Sequence, residues 1–191
     1  MKVGILEFQG DIEEHFLMTK KAIENIKISA EVVLVKKNSD IKELSALIIP
    51  GGESTVIGKF IKEQNLEDEI KKFAEKGNAI MGTCAGSIIL AKECNDKRIN
   101  LLRLIDISVS RNAYGRQVDS FETELNIDSI GKFHCIFIRA PVIEKISDKV
   151  KVLASFRGKP IFVQQGNILA LTFHPELTND TRVHEYFLKL I

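Results

Sequence analysis

The sequence predicts an α/β fold: three layers, with a mostly parallel central sheet and helices on both faces. Three features predict it. Short, almost wholly apolar runs such as "KVGILEF" and "ALIIPGG" suit strands buried on both sides, as parallel strands are. Segments with apolar residues at helical spacing alternate with them through the first two-thirds of the chain. After about Leu101 the pattern changes to a succession of strand-like runs, which predicts additional antiparallel strands in the C-terminal half.

Taken in order, "KVGILEF" reads as the first strand, and Ile12, Phe16, Thr19, Ile23 and Ile26 mark the helix after it. "AEVVLVK" is β-branched and strand-like, and "ALIIPGG" is a strand stopped by Pro-Gly-Gly. Ser54 is placed to cap a following helix. Leu66, Ile70 and Phe73 define an amphipathic helix that closes at Gly77. "NAIMG" is the next strand and "SIILAKE" the helix after it, completing a β-α-β-α order. "DISVSRN", "FETELNI", "HCIFIRA", "VKVLASF", "KPIFVQQ" and "NILALTFH" follow as strands, some joining the central sheet and others forming a smaller antiparallel layer. A last helix presents Val183, Phe187 and Leu190 on one face.

The 191 residues suffice for one well-packed domain, expected to span residues 1–191. Apolar residues make up 45% and charged residues 28%, the balance of an ordinary globular chain. A net charge of +1 with interspersed signs carries no nucleic-acid or membrane footprint. No apolar run approaches the roughly 18 residues a membrane span needs, and the N-terminus reads as a strand rather than a signal peptide. Three widely spaced cysteines argue against a disulfide framework, so a cytoplasmic location is expected.

The chemistry centres on "AIMGTCAGSIIL". Here Cys84 stands between strand and helix in the pattern G-x-C-x-G, the thiol form of a nucleophile elbow. The flanking Gly82 and Gly86 are expected where side chains would strike neighbouring elements. The turn places the sulfur at the carboxyl end of the sheet, beside helix N–H groups that favour a thiolate. Cys94 and Cys135 lack such surroundings and read as small buried hydrophobes.

A base is available in "LTFHPEL": in extended backbone His174 and Glu176 point the same way. The imidazole can take the thiol proton while the carboxylate holds its other N–H. His15, His134 and His184 read as ordinary structural histidines. In "PGGEST", the Gly52 N–H, with that of Ala85, could form an oxyanion hole. No ligand spacing suggests a metal site.

"PGGEST", "GTCAG" and "FHPEL", in that order, resemble the triad (class I) glutamine amidotransferases, whose fold is flavodoxin-like. "RNAYGRQVDSFE", "IRAP" and "FQGDIEEH" narrow the resemblance to the glutaminase subunits of pyridoxal 5′-phosphate synthases, from Lys2 to about Arg182. The resemblance implies hydrolysis of L-glutamine through a thioester on Cys84, with His174 as acid and base and Glu176 orienting it, and without a cofactor. It implies glutamine binding by Gly52, Glu53, Ser54, Arg111, Ile138 and Arg139. It further implies a (β/α)₈-barrel synthase subunit that receives the ammonia in a large hetero-oligomer, with Gln9 and Gly10 near the oxyanion hole and the partner. Glu7 and Ser87 depart from the family pattern, which has glycine and an apolar residue there. The triad alone also fits a glutaminase serving another synthase, such as imidazole glycerol phosphate synthase, and a non-catalytic redox or docking module remains a further alternative.

Overall fold

The computed structural model describes residues 1–111 and 120–191; the centre of "RNAYGRQVDSFE", residues 112–119, lies outside the described residues. The chain runs β1 (Lys2–Leu6), α1 (Ile12–Ile26), β2 (Glu31–Val35), α2 (Asn38–Ile41), β3 (Ala46–Ile49), α3 (Ser54–Glu63), α4 (Glu67–Glu75), β4 (Ala79–Thr83) and α5 (Ala85–Leu90). It continues through β5 (Ala91–Cys94), β6 (Ile105–Ser110), β7 (Ser120–Ile127), β8 (Gly131–Ile138), β9 (Val142–Ile146), β10 (Lys151–Phe156), β11 (Lys159–Gln165) and β12 (Ile168–Leu171). A 3₁₀ turn (Pro175–Leu177) and α6 (Arg182–Leu188) end it.

Among the described residues, the central sheet has seven strands in the order β10-β11-β12-β4-β3-β1-β2. The pairings from β12 through β4, β3 and β1 to β2 are parallel, whereas β10 and β11 are antiparallel. β3 and β4 are buried along their whole length, as their unbroken apolar sequences require. One core lies between the sheet and α1, α6 and the β7–β8 hairpin, where Val3, Ile5, Ile48 and Met81 meet Phe133, Phe137, Phe173 and Phe187. The other lies under α2–α5 and the small β5-β6-β9 sheet, where Leu47, Ile49 and Ile80 meet Ile57, Ile70, Ile89 and Ile107. No described helix is long and apolar enough to cross a membrane.

Three local expectations are corrected. "SIILAKE" is not one helix: α5 stops at Leu90, and Ala91 turns extended to begin β5, which pairs with β6. A ladder of sequence-distant partners overrides the local helical preference. β9 pairs with β6 although its strand was not anticipated from "VIEKI". The cap of α3 is Glu53, whose carboxylate accepts from the Thr55 N–H at 3.3 Å; Ser54 is already the first helical residue.

The parallel strands deliver their carboxyl ends to one edge. The order β2-β1-β3-β4 reverses direction between β1 and β3, and open α/β sheets bind ligands in the crevice at such a switch. The segments leaving β1, β3, β4 and β12 carry Gln9, Gly52, Cys84 and His174, and all four line one cavity there.

Candidate active site

Cys84 stands between β4 and α5 with φ +47° and ψ −107°. A side-chain-bearing residue rarely adopts this conformation, and it persists only where surrounding packing enforces it. The packing is visible at the two glycines. A Cβ on Gly86 would lie 2.0 Å from the Ile49 carbonyl oxygen, and one on Gly82 would lie 2.6 Å from the Gly86 carbonyl. The elbow therefore fits only because α5 lies directly on β3 and β4. Ser87, expected from the resemblance to depart from the usual apolar residue, donates its hydroxyl to the Cys84 carbonyl at 2.7 Å and ties the elbow to the first turn of α5. Glu7, the other departure, pairs with Lys36 at 3.2 Å.

His174 follows β12 and is buried. Its Nδ1 lies 2.7 Å from Glu176 Oε1 and 3.2 Å from Asp11 Oδ2. The contact with Glu176 is made differently from the expected extended strand: Pro175 opens a 3₁₀ turn that folds the carboxylate back beneath the ring. Gly51 leaves the space, since a Cβ there would sit 2.7 Å from both Asp11 Oδ2 and His174 Cε1. His174 Nε2 is buried without a fully formed hydrogen bond, and the Cys84 thiol interacts with the ring. Burial opposes charge on His174, but bonding to Asp11, Cys84 and Glu176 outweighs it and raises the pKa. The bond to His174 holds Asp11 below the usual carboxylate range. Burial pushes Glu176 upward against the lowering effect of its bond to His174.

The cavity beside the thiol has a volume of about 440 Å³. Its lining includes Gly52, Glu53, Ser54, Cys84, Ala85, Arg111, Ile138, Arg139 and His174, so every residue expected at the site borders it except Glu176, which supports His174 from behind. The Cys84 thiol donates to the Ile138 carbonyl at 3.8 Å. Arg111 reaches Glu53 Oε1 at 2.6 Å and Asp96 Oδ2 at 3.1 Å, so the two side chains suited to the charged ends of an amino acid are paired directly in the cavity wall. Arg139 has φ +45°, a second strained position on the rim. Gln9 Oε1 accepts from the Glu53 N–H at 3.4 Å, and a Cβ on Gly10 would lie 1.7 Å from the Gly51 carbonyl oxygen; the β1 and β3 loops are therefore in backbone contact.

Sequence reasoning did not single out Asp11 or Asp96, since neither stands in a chemically suggestive spacing. Asp11, His174 and Glu176 also offer donor atoms within 4.8 Å of one another. These atoms converge on a single imidazole nitrogen, so a metal held there would displace the Nδ1 proton the relay uses.

His15 and His184 bond to each other and to a side chain rather than to backbone. Both are fully buried; His15 Nδ1 lies 3.1 Å from His184 Nε2, and His15 Nε2 lies 2.9 Å from Thr83 Oγ1. Burial pushes His184 down to about 3, and burial together with His184 and His174 holds His15 well below its ordinary value. In the unfolded chain both would protonate below about pH 6.5. The unfolded state then binds protons that the folded state refuses, so stability falls as pH falls, by about 1.4 kcal/mol per pH unit for each histidine. The raised pKa of His174 acts oppositely: its contribution is complete below about pH 6.5 and is lost as pH rises. Glu176, shifted upward, also opposes the acid loss. We expect the thermal midpoint to drop between pH 6.5 and 4.5, and to drop less steeply in His184→Leu. Equal slopes in calorimetry would contradict this.

The SNO glutamine amidotransferase family matches residues 5–191. The pyridoxal 5′-phosphate synthase subunit PdxT of Thermoplasma volcanium is 49% identical over 190 residues, spanning 100% of this chain and 94% of that protein. The protein of the same name from Thermoplasma acidophilum is 50% identical over 191 residues, spanning 100% and 93%. A crystal structure of a glutamine amidotransferase superposes with TM-score 0.89 at 47% identity, covering 98% of this chain and 97% of that one. The structure of PurLQS from Thermotoga maritima, at 16% identity, matches with TM-score 0.71 over 99% of this chain and 96% of that one, a likeness of fold alone.

Proposed function

Because this chain belongs to the SNO glutamine amidotransferase family, we infer that it is the glutaminase subunit of a pyridoxal 5′-phosphate synthase, releasing ammonia from L-glutamine for a partner synthase subunit. The observation that carries the site assignment is the strained Cys84 elbow sharing one cavity with a His174 already held by Glu176.

The geometry supports the following mechanism. Glu53 takes the substrate α-ammonium and Arg111, steadied by Asp96, its α-carboxylate; their mutual ion pair opens to admit the amino acid. Ser54, Ile138 and Arg139 complete the walls. The Cys84 thiol passes its proton to His174 Nε2, and the sulfur attacks the side-chain amide carbon. The developing oxyanion is met by the N–H groups of Gly52 and Ala85. Collapse breaks the C–N bond as His174 returns the proton to the departing ammonia. His174 then takes a proton from water, whose oxygen attacks the thioester carbon, and glutamate leaves with the thiol restored. Glu176 fixes the imidazole tautomer and offsets its charge throughout.

The synthase subunit is a (β/α)₈ barrel in a large hetero-oligomer, docking near Gln9 and Gly10. The chain works as one glutaminase domain, residues 1–191, in the cytoplasm. The deciding experiment measures glutamate formation with and without the synthase subunit. Ammonia release should rise on its addition and the two chains should co-purify. If the subunit neither binds nor stimulates release, this assignment is rejected.

A further inference from the structure

We propose that His15 and His184 form a buried donor chain that keeps the Glu176 carboxylate ionised and aimed at His174, making both histidines positioning residues of the relay. The proposal rests on the relay assigned above. Glu176 uses Oε1 to hold His174 Nδ1 at 2.7 Å. Its other oxygen, Oε2, is buried and has no full hydrogen bond, and it lies 3.4 Å from His15 Nε2. A buried carboxylate oxygen without a nearby donor would favour the protonated acid, which cannot orient an imidazole N–H. His15 supplies the facing polarity.

The proton positions follow from satisfiability. A neutral imidazole has one N–H and one bare nitrogen. His184 Nδ1 is buried without a partner, and an unmatched buried N–H is costly. The proton therefore sits on His184 Nε2 and is donated to His15 Nδ1 at 3.1 Å. His15 Nδ1 being the acceptor, His15 carries its proton on Nε2, which it donates to Thr83 Oγ1 at 2.9 Å, while Glu176 Oε2 stands 3.4 Å from the same nitrogen, close enough to feel its polarity though not hydrogen-bonded. Each residue comes from a different element: His15 from α1, His184 from α6, Thr83 from the end of β4 beside Cys84. The ionisable groups facing Glu176 are His174, Asp11 and His15; those facing His15 are Glu176, His184 and His174. Both buried histidines stay neutral, so the chain donates without adding a positive charge that would compete with the imidazolium of His174.

The test reads the Cys84–His174 pair without glutamine. The pH dependence of Cys84 alkylation by iodoacetamide is measured on the full chain, with the Cys84 peptide quantified by mass spectrometry, for wild type, His15→Leu, His15→Gln and His184→Leu. Without the donor, Glu176 protonates more readily, the imidazolium keeps only Asp11 of its two counter-charges and the thiolate forms at higher pH. In His15→Leu the alkylation midpoint should rise by about one pH unit, equivalent to about a tenfold loss of reactivity on the acid side. His15→Gln, which keeps an amide N–H at that reach, should restore most of the wild-type profile. His184→Leu should shift the midpoint the same way by less. A merely structural role would lower the melting temperature of all three variants and leave their midpoints together. Coincident midpoints in wild type and His15→Leu would overturn the proposal; should that variant not fold, coincidence in His184→Leu, which does not touch Glu176, would overturn it equally. A failed glutaminase assay would reject the function above while leaving this readout intact.

Discussion

Replacing Cys84 by alanine is expected to abolish glutamine hydrolysis, with turnover in the presence of the synthase subunit falling on the order of 10⁴-fold or more. Among the described residues, no second nucleophile is placed to substitute. Ser54, which lines the cavity, is buried at the start of α3 with no base hydrogen-bonded to its hydroxyl, and Cys94 and Cys135 do not border the cavity. Alanine keeps the Cβ that the φ +47° position already accommodates, so the fold and the melting temperature should hardly change. His174→Asn should cost about as much, because the proposed mechanism uses the imidazole as base and acid in successive steps. The double variant should be no worse than either single one, since the residues act as a unit. The measurement is glutamate formed per enzyme. Residual turnover within about tenfold of wild type in Cys84→Ala would remove this thiol from the mechanism.

Gly86→Ala is expected to prevent folding or to destabilise the chain by more than about 4 kcal/mol, a size reserved for severe core disruption. The new methyl would stand 2.0 Å from the Ile49 carbonyl oxygen and 3.2 Å from that of Pro50. Both obstacles are backbone atoms at the end of a strand buried on both faces, so neither can swing aside as a side chain would. Relief requires α5 to lift off β3, which would open the apolar contacts of Ile57, Ile88 and Ile89 and move Cys84 away from His174. By contrast, Gly158→Ala meets no atom within 4 Å and should cost only the strain of its φ of +76°. Denaturant unfolding of the two variants compares them directly. A Gly86→Ala protein as stable as Gly158→Ala would show that the elbow has more freedom than this packing allows.

Much of the molecule was legible before any coordinates. The runs "KVGILEF", "ALIIPGG" and "NAIMG" became buried parallel strands because an unbroken apolar segment of that length has few other stable placements. The elbow was equally readable, since strand, glycine-flanked thiol and helix all lie within one short stretch. Where reading failed, a distant partner had settled the matter. "AKEC" is strand because β6 offers it a ladder, and "HPEL" is a 3₁₀ turn although only the order His-Pro-Glu was visible.

Local pattern thus specified the α/β order and the Cys84 elbow and pointed to His174 and Glu176 as its companions, because each is encoded within a few neighbouring positions whose backbone geometry follows from residue type. Folding in three dimensions alone determined that Asp11 shares the His174 nitrogen, that Asp96 braces Arg111, and that His15 meets His184 from 169 positions away. The first and third contacts arise from how α1, α6 and the segment after β12 meet on the central sheet, the second from the pairing of β5 with β6, and no periodicity along the chain records which side chains such packing will bring within hydrogen-bonding distance.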